Sequence, residues 1–305
     1  MRRFARCVAL AALFLAACRT PETPPERLPR FEEPAAKPAI ALVLGSGGPR
    51  GFAHIGVIKV LDESGIKPDL IVGTSVGAMV GALNADGLDG RQLEALAAKI
   101  KLSEFFEISM IGGGKSSGVA TQKYVNEHVG GKPIEALKVA FAAGATRVRD
   151  KALVLFNRGD TGLAVRASSA NSESFEPVRI GKDEFVDGDD ASPVPIHAAK
   201  RLGARVVIAV DVSAYPEDAP PNVPREWVDK DGRRAAQIAA EAPEADVLLH
   251  PNIGYFAGHS DEYRRRVIAI AEDYTRARIP QIRAALARAT QAASTGRMPS
   301  GDASR

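Results

Sequence analysis

Cysteine is scarce in this 305-residue sequence: there are two, Cys7 and Cys18, and both lie close to the N-terminus. The chain after Cys18 therefore has no internal disulfide, no thiol nucleophile and no cysteine-based metal site. A cysteine-free domain of this kind is compatible with export to an oxidising compartment.

Net charge is also small. The formal charge is +3, and Arg2, Arg3 and Arg6 account for all of it, so the rest of the chain is near neutral. This balance argues against an extended basic surface for nucleic acid. The composition is that of an ordinary globular protein, and the roughly 250 residues between the two ends are enough for one large α/β domain.

The apolar run from Val8 to Ala17 is too short to span a bilayer of about 30 Å. Behind a basic start, it matches the hydrophobic segment of a secretory signal. The run ends in Leu15-Ala16-Ala17-Cys18, which resembles the lipobox of bacterial lipoproteins, although an ordinary signal peptide remains an alternative. The resemblance implies cleavage before Cys18, acylation of Cys18 by several chains for stable attachment and, with Arg19 next in sequence, an outer-membrane location in the bacterial envelope.

The sequence divides into four parts. Residues 1–17 are the signal peptide, and residues 18–38, rich in proline and glutamate, are predicted to form an extended tether. Residues 39–293 are predicted to form a single domain. Residues 294–305 are predicted to be a disordered tail.

Within the domain, short apolar runs alternate with amphipathic stretches. This pattern predicts an α/β protein, a three-layer α/β/α sandwich with a mainly parallel central sheet. A long C-terminal helix is expected from Asp261 to about Ala293, with Pro280 as a candidate break. The segment 108–118, rich in glycine and serine, is predicted to be a mobile loop, either over the site or a plain connector. Predicted strands include IALVLG, DLIVG, KVAFAAGAT, ALVLF, FEPVRI and ARVVIAVDVS.

The strongest chemical signal is Gly73-Thr74-Ser75-Val76-Gly77, between a predicted strand and a predicted helix. That context is typical of a nucleophile elbow, in which a strained turn lifts the serine hydroxyl clear of the sheet. Gly73 and Gly77 are needed because the neighbouring backbone packs too closely for a side chain.

A second glycine-rich segment, Gly45-Ser46-Gly47-Gly48-Pro49-Arg50-Gly51, also lies between a strand and a helix. Successive glycines let backbone N–H groups converge on an anion, so this loop is a candidate oxyanion hole. A nucleotide-binding loop is the alternative, but the Gly-Lys-Ser/Thr ending of a P-loop is absent.

The third signal is Asp187-Gly188, which ends a short predicted strand ahead of a helix that begins near Pro195. Taken alone, an aspartate next to glycine is more often a turn former than a catalytic group.

Together, the segments GxGGxRG, GxSxG and DG, with the flanking stretches GFAHIGVIKVLDE and ARVVIAVDVS, resemble the patatin-like phospholipase family over about residues 40–280. The resemblance implies a Ser-Asp dyad without histidine, with Ser75 as nucleophile and Asp187 as general base. It also implies an oxyanion hole formed at Gly47 and Gly48, with Arg50 as a supporting charge.

The chain departs from the family pattern at two places. Asn171 to Ser174 replaces an Ile-Pro-Gly run, and Asp189 stands where the family usually has glycine. A carboxylate beside the base is expected to raise the pKa of that base.

The expected activity is hydrolysis of a lipid acyl ester through an acyl-enzyme, without a metal or cofactor. The acyl substrate and the oligomeric state stay open. One alternative is a Ser-His-Asp hydrolase that uses His250 or His259. The other is a membrane-tethered module that binds lipid or a partner without catalysis.

Overall fold

A computed structural model describes residues 27–100 and 114–294. In these ranges one eight-stranded sheet is flanked by nine α-helices. The strands are β1 (Ile40–Leu44), β2 (Leu70–Thr74), β3 (Ala140–Arg147), β4 (Leu153–Phe156), β5 (Val178–Ile180), β6 (Asp183–Asp187), β7 (Val206–Val210) and β8 (Val247–Leu249). The helices are α1 (Phe52–Glu63), α2 (Val76–Ala85), α3 (Gly90–Ala97), α4 (Val119–His128), α5 (Thr161–Ser168), α6 (Ile196–Arg201), α7 (Arg225–Glu241), α8 (Asp261–Arg276) and α9 (Ile279–Ser294).

The sheet has the strand order β5-β6-β3-β2-β1-β7-β8, with β4 paired to β3. The strands β3, β2, β1, β7 and β8 pair in parallel. The pairings of β4, β5 and β6 are antiparallel. The expected α/β architecture is thus confirmed, and the sheet is parallel through its centre and mixed at one end.

Side chains alternate between two hydrophobic layers, as the pleat of a strand requires. In β1, Leu42 and Leu44 face the larger core, whereas Ala41 and Val43 face a smaller core on the opposite side. Helices α1, α2, α5 and α8 contribute to the larger core, and α6 and α7 to the smaller one. Two covered faces explain why the strand interiors read as continuous apolar runs.

The expected C-terminal helix is two helices, α8 and α9. Helix α8 ends at Arg276. Pro280 is the second residue of α9, a position where its missing N–H costs no helical hydrogen bond. The elements α4, α5, α7 and β8 were not predicted. Helix α7 buries a single residue, Ile238, so its sequence has little hydrophobic periodicity.

Residues 27–32, which were expected to be part of a free tether, are bound to the domain. The main chain of Arg30 forms a bridge with Arg158 at an N···O distance of 3.1 Å, and the Arg27 guanidinium donates to the carbonyl of Gly131 at 2.9 Å. The Glu32 carboxylate pairs with Arg158 at 2.9 Å. These residues lie within the proline-rich stretch, yet their backbone polar groups bond to the domain.

Several predictions lie outside the described residues: the signal peptide, Cys18, residues 108–113 of the glycine-rich segment, and the tail beyond residue 294. Over the ranges 27–100 and 114–294, no helix is both long and apolar enough to cross a bilayer.

Candidate active site

Ser75 lies at the sharp turn between β2 and α2. Its φ of 56° and ψ of −124° are strained for a residue with a side chain, and such strain is often concentrated at functional sites. The backbone N–H of Ser75 donates to the Ser168 hydroxyl at 2.9 Å, and that hydroxyl donates to the carbonyl of Gly144 at 2.6 Å. The turn is therefore fixed by a side chain of α5 as well as by its own glycines.

The two glycines of the elbow are required by close backbone contacts. A Cβ atom on Gly77 would lie 2.1 Å from the carbonyl oxygen of Leu44, and one on Gly73 would lie 2.5 Å from the carbonyl oxygen of Gly77. Both distances are far below van der Waals contact, so a side chain at either position would displace main chain. This is the steric requirement expected from the sequence.

Asp187 ends β6 and reaches Ser75 directly. The Ser75 hydroxyl donates to Oδ2 of Asp187 at 2.7 Å, and the N–H of Asp189 donates to Oδ1 at 2.9 Å. The Thr146 hydroxyl donates to the main-chain oxygen of Asp187 at 2.7 Å. Gly188 is needed next in the chain because a Cβ there would lie 2.3 Å from the carbonyl oxygen of Gly144. The structure thus brings the two predicted dyad residues into contact, with no histidine between them.

Asp187 is 5% exposed, and its pKa is raised from 3.8 to about 7, mainly by burial. The negative charge of Asp189 contributes to this rise, and the hydrogen bonds from the Asp189 N–H and from Ser75 reduce it, so the value of about 7 is the net result. A carboxylate with a pKa near neutrality is a much better proton acceptor than a free aspartate and is still ionised in part at pH 7.

The glycine-rich loop runs from the end of β1 into a short 3₁₀ turn, Gly48–Gly51. Gly47 has a φ of 155° and Gly48 a φ of 54°, and both line the same cavity as Ser75. No acceptor among the described residues takes the N–H of Gly47 or Gly48. Two main-chain donors are thus left for a ligand in the cavity, as an oxyanion hole requires.

Two buried side chains, Arg50 and His54, hold this loop in place. Arg50 lines the cavity, but its guanidinium donates to the carbonyl of Gly254 at 2.7 Å. Nε2 of His54, which is fully buried, lies 2.8 Å from the carbonyl oxygen of Gly45, and burial lowers the pKa of His54 to about 4. His54 is therefore neutral at pH 7 and donates to the loop carbonyl.

The two histidines of the alternative triad are placed differently. Nδ1 of His250 lies 3.1 Å from the buried carboxylate of Asp211, and its ring stacks on Tyr215 at 4.1 Å between centroids. His259 is exposed at the edge of the cavity. Neither histidine hydrogen-bonds to Ser75. The Ser75 hydroxyl donates to Asp187 instead.

A cavity of about 550 Å³ opens at Ser75. Most of its wall surface is apolar, and its polar lining includes Ser75, Asp187 and Asp189. The apolar lining includes Phe52, Ile55, Met79, Val80, Leu83, Leu93, Leu96 and Phe175. The volume and the lining of the cavity are those of a binding site for a small apolar ligand or an alkyl chain.

No three side chains of His, Cys, Asp or Glu within residues 27–100 and 114–294 are grouped as metal ligands.

The region that departs from the expected family pattern also lines this cavity. Asn171 closes a turn by accepting the N–H groups of Ser174 and Phe175 at 3.0 and 2.8 Å. Glu173 pairs with Lys230 at 2.6 Å. The substituted segment is thus an ordered part of the cavity wall.

The family model for patatin-like phospholipases matches residues 42–200, which include the glycine-rich loop, the elbow and Asp187. The chain belongs to the patatin-like phospholipase family. This match covers just over half of the chain.

Curated relatives agree with this membership. An uncharacterised NTE family protein of Mycobacterium tuberculosis is 34% identical over 203 residues, which are 64% of this chain and 56% of that protein. Human patatin-like phospholipase domain-containing protein 6 is 32% identical over 186 residues, 58% of this chain and 14% of that protein. The chain thus spans little more than half of the mycobacterial relative and a small part of the human one.

Among solved structures, VipD from Legionella pneumophila matches with a TM-score of 0.55 and 12% identity, over 90% of this chain and 72% of that chain. At this identity the likeness concerns the fold alone. It agrees with a central sheet flanked by helices.

Four residues of this patatin-like site were not assigned a role from sequence: Ser46, Thr146, Ser168 and Arg234. Ser168 lies in the segment AVRASSA, whose sequence carries no sign of its contact with the elbow. Arg234 lies in α7, outside residues 42–200. Only the three-dimensional arrangement shows these residues beside the dyad.

Proposed function

We propose that this protein hydrolyses lipid acyl esters through a Ser75–Asp187 dyad. The observation that carries the proposal is the 2.7 Å hydrogen bond from the Ser75 hydroxyl to the buried Asp187 carboxylate, in the wall of a largely apolar cavity. Membership of the patatin-like phospholipase family and similarity to a protein named lysophospholipase in Coccidioides immitis support the same reaction class.

In the proposed reaction, Asp187 takes the hydroxyl proton as Ser75 Oγ attacks the ester carbonyl carbon. The negative charge that develops on the carbonyl oxygen is stabilised by the N–H groups of Gly47 and Gly48. The protonated Asp187 then gives its proton to the leaving alcohol, which leaves an acyl group on Ser75. Asp187 next deprotonates a water molecule, which attacks the acyl carbon and releases the fatty acid, and Ser75 regains a proton.

The cavity supports an acyl chain as the bound part of the substrate. Aliphatic and aromatic side chains make up much of its lining, and burial of an alkyl chain stabilises binding by about 0.8 kcal/mol per CH₂ group. Phospholipid, lysophospholipid, neutral glyceride and small esters all contain the bond that this site would cleave.

The test is hydrolysis of a short-chain chromogenic ester and of a labelled phospholipid by protein that starts at residue 27. Ser75→Ala and Asp187→Asn should each abolish activity, whereas the double variant His250→Ala/His259→Ala should retain it. Loss of activity in the histidine variant would instead indicate a triad. No activity in the parent protein, with lipid binding that is unaffected by Ser75→Ala, would favour a non-catalytic binding module.

We further propose that Cys18 carries a lipid anchor that holds the enzyme at the bacterial cell envelope, at the outer membrane where the cell has one. The Leu15-Ala16-Ala17-Cys18 sequence behind a short apolar run supports this proposal. In the full chain, Cys18→Ala should release the protein from the membrane fraction, while Cys7→Ala should not. Mass spectrometry of the mature N-terminal peptide should show an acylated cysteine, and an unmodified Cys18 would contradict the anchor.

A further inference from the structure

One carboxylate joins three parts of the candidate site. Oδ1 of Asp189 accepts a hydrogen bond from the hydroxyl of Ser46 in the glycine-rich loop. The guanidinium of Arg234 donates through Nε to Oδ1 at 2.9 Å and through Nη2 to Oδ2 at 2.7 Å. The N–H of the same aspartate donates to Oδ1 of Asp187 at 2.9 Å. Asp189 thus contacts the loop that bears the oxyanion donors, the base, and helix α7.

Arg234 is itself held in a fixed orientation. Its Nη1 donates to Asp231 one turn earlier in α7 at 3.0 Å, and Asp231 also accepts the hydroxyl of Tyr255 at 2.7 Å. The side chains of Arg234 and Asp189 are 18% and 15% exposed. A two-point guanidinium–carboxylate pair that is shielded from water in this way is a strong and directional contact, unlike an exposed ion pair.

This arrangement has a clear consequence for the dyad. Ser46 precedes Gly47, and Asp189 is two residues from Asp187, so the contact joins the oxyanion loop to the base loop by side chains. Catalytic groups must be held within about 0.5 Å of their working positions, which requires such supporting contacts.

We propose that Asp189 and Arg234 are a pair of positioning residues that fasten the glycine-rich loop to the Asp187 loop and fix the net charge facing the base. This inference rests on the proposed hydrolase function. It adds to that function two residues that stand outside the Ser-Asp dyad, one of them on a helix outside the matched family segment.

The groups that face Asp187 come from four places. They are Ser75 from the elbow, Thr146 from β3, the carboxylates of Asp189 and Asp190 from its own turn, and the guanidinium of Arg234 from α7. The Asp189 charge raises the pKa of Asp187, and Arg234 offsets that charge. Removal of the Asp189 charge should therefore lower the pKa of Asp187, and removal of the Arg234 charge should raise it.

The variants are Asp189→Asn, Arg234→Gln and the double variant, with Arg233→Gln as a matched control on the exposed side of α7. The pH profile of kcat/KM on a chromogenic ester is the first readout. Asp189→Asn should move the acid limb to lower pH by about one unit, because Arg234 then acts on Asp187 without a counter-charge. Arg234→Gln should move the limb to higher pH by a similar amount, and the double variant should lie between the two. Arg233→Gln should match the parent.

Two readouts do not depend on turnover. A ¹³C NMR titration of the Asp187 carboxyl should show the same opposite shifts. Hydrogen exchange of the peptide covering residues 45–51 should be faster in Arg234→Gln than in the parent, because Asp189, which accepts the Ser46 hydroxyl of this loop, is then no longer held by the guanidinium.

The two proposals can fail separately. A parent that hydrolyses no ester, but whose Asp187 titration and loop exchange respond as described, would refute the hydrolase function and leave the positioning pair standing. An active parent whose Asp189→Asn and Arg234→Gln profiles overlay, or shift in the same direction, would overturn the pair alone. So would loop exchange in Arg234→Gln that equals that of Arg233→Gln.

Discussion

Replacement of Asp187 by asparagine should make the protein more stable at neutral pH while it destroys the candidate site. The reason is the raised pKa of the buried carboxyl, about 7 in the folded protein against 3.8 when it is exposed. Between these two values the folded state binds the proton more tightly than the unfolded state does, so stability falls as the pH rises. An asparagine side chain does not ionise and should not show this loss.

The size of the effect follows from the shift. One pKa unit corresponds to about 1.36 kcal/mol, so the stability lost by the parent above pH 7 is roughly 4 kcal/mol. About 3 kcal/mol of this loss should fall between about pH 5 and pH 8. Asparagine also exchanges one hydrogen-bond acceptor for a donor at Ser75 or Asp189, but that cost does not depend on pH. The difference between variant and parent should therefore widen by about 3 kcal/mol across this interval.

The assay is urea or thermal unfolding of both proteins at several pH values in one buffer series. For a domain of this size the gap in Tm should grow by roughly 5–10 °C from about pH 5 to pH 8. Asp190→Asn, which changes an exposed neighbouring carboxylate, is the matched control and should show little pH-dependent gain. A constant difference between Asp187→Asn and the parent at every pH would refute the reasoning, since Asp187 would then have an ordinary pKa.

Three further outcomes are expected. Ser168→Ala should lower the free energy of unfolding by about 1–3 kcal/mol in a urea titration, because it leaves a buried main-chain N–H without an acceptor. Ser169→Ala is its control, since no described group bonds that hydroxyl, and equal losses would contradict the assignment. Gly77→Ala should give little folded protein by circular dichroism, because its Cβ would meet the Leu44 carbonyl; a normal spectrum and Tm would contradict this clash. In the parent, kcat/KM should rise with pH through about 7, as Asp187 loses its proton, and a limb near pH 4 would show that the pKa of the base is not raised.

Much of the fold could be predicted because its signals are local. Each of the strands β1, β2 and β7 is a short apolar run covered on both faces, and glycines or turn residues mark where it ends. Helix α7 and strand β8 were missed because the first buries one residue and the second is three residues long. Neither leaves a periodic pattern that can be recognised without its neighbours.

In the candidate site, too, the local features could be predicted from sequence and the contacts between distant residues could not. The elbow glycines could be predicted because the turn around Ser75 imposes its steric requirement on adjacent residues. The role of Ser168 and the joint contact of Ser46 and Arg234 with Asp189 could not, since these groups lie far apart in the chain. The attachment of residues 27–32 was missed for a similar reason: a proline-rich composition predicts extension but says nothing about what the extended chain binds.

The sequence by itself determined the α/β architecture, the nucleophile elbow and the glycine-rich loop, because these depend on the periodicity and backbone freedom of neighbouring residues. Tertiary structure alone decided that Ser75 and Asp187, 112 residues apart, share a hydrogen bond, and that burial raises the pKa of Asp187 to about 7. It also decided that the charge of Asp189 is balanced by Arg234. Desolvation and charge pairing depend on which distant segments exclude water from a group, and only the packed sheet and helices define that.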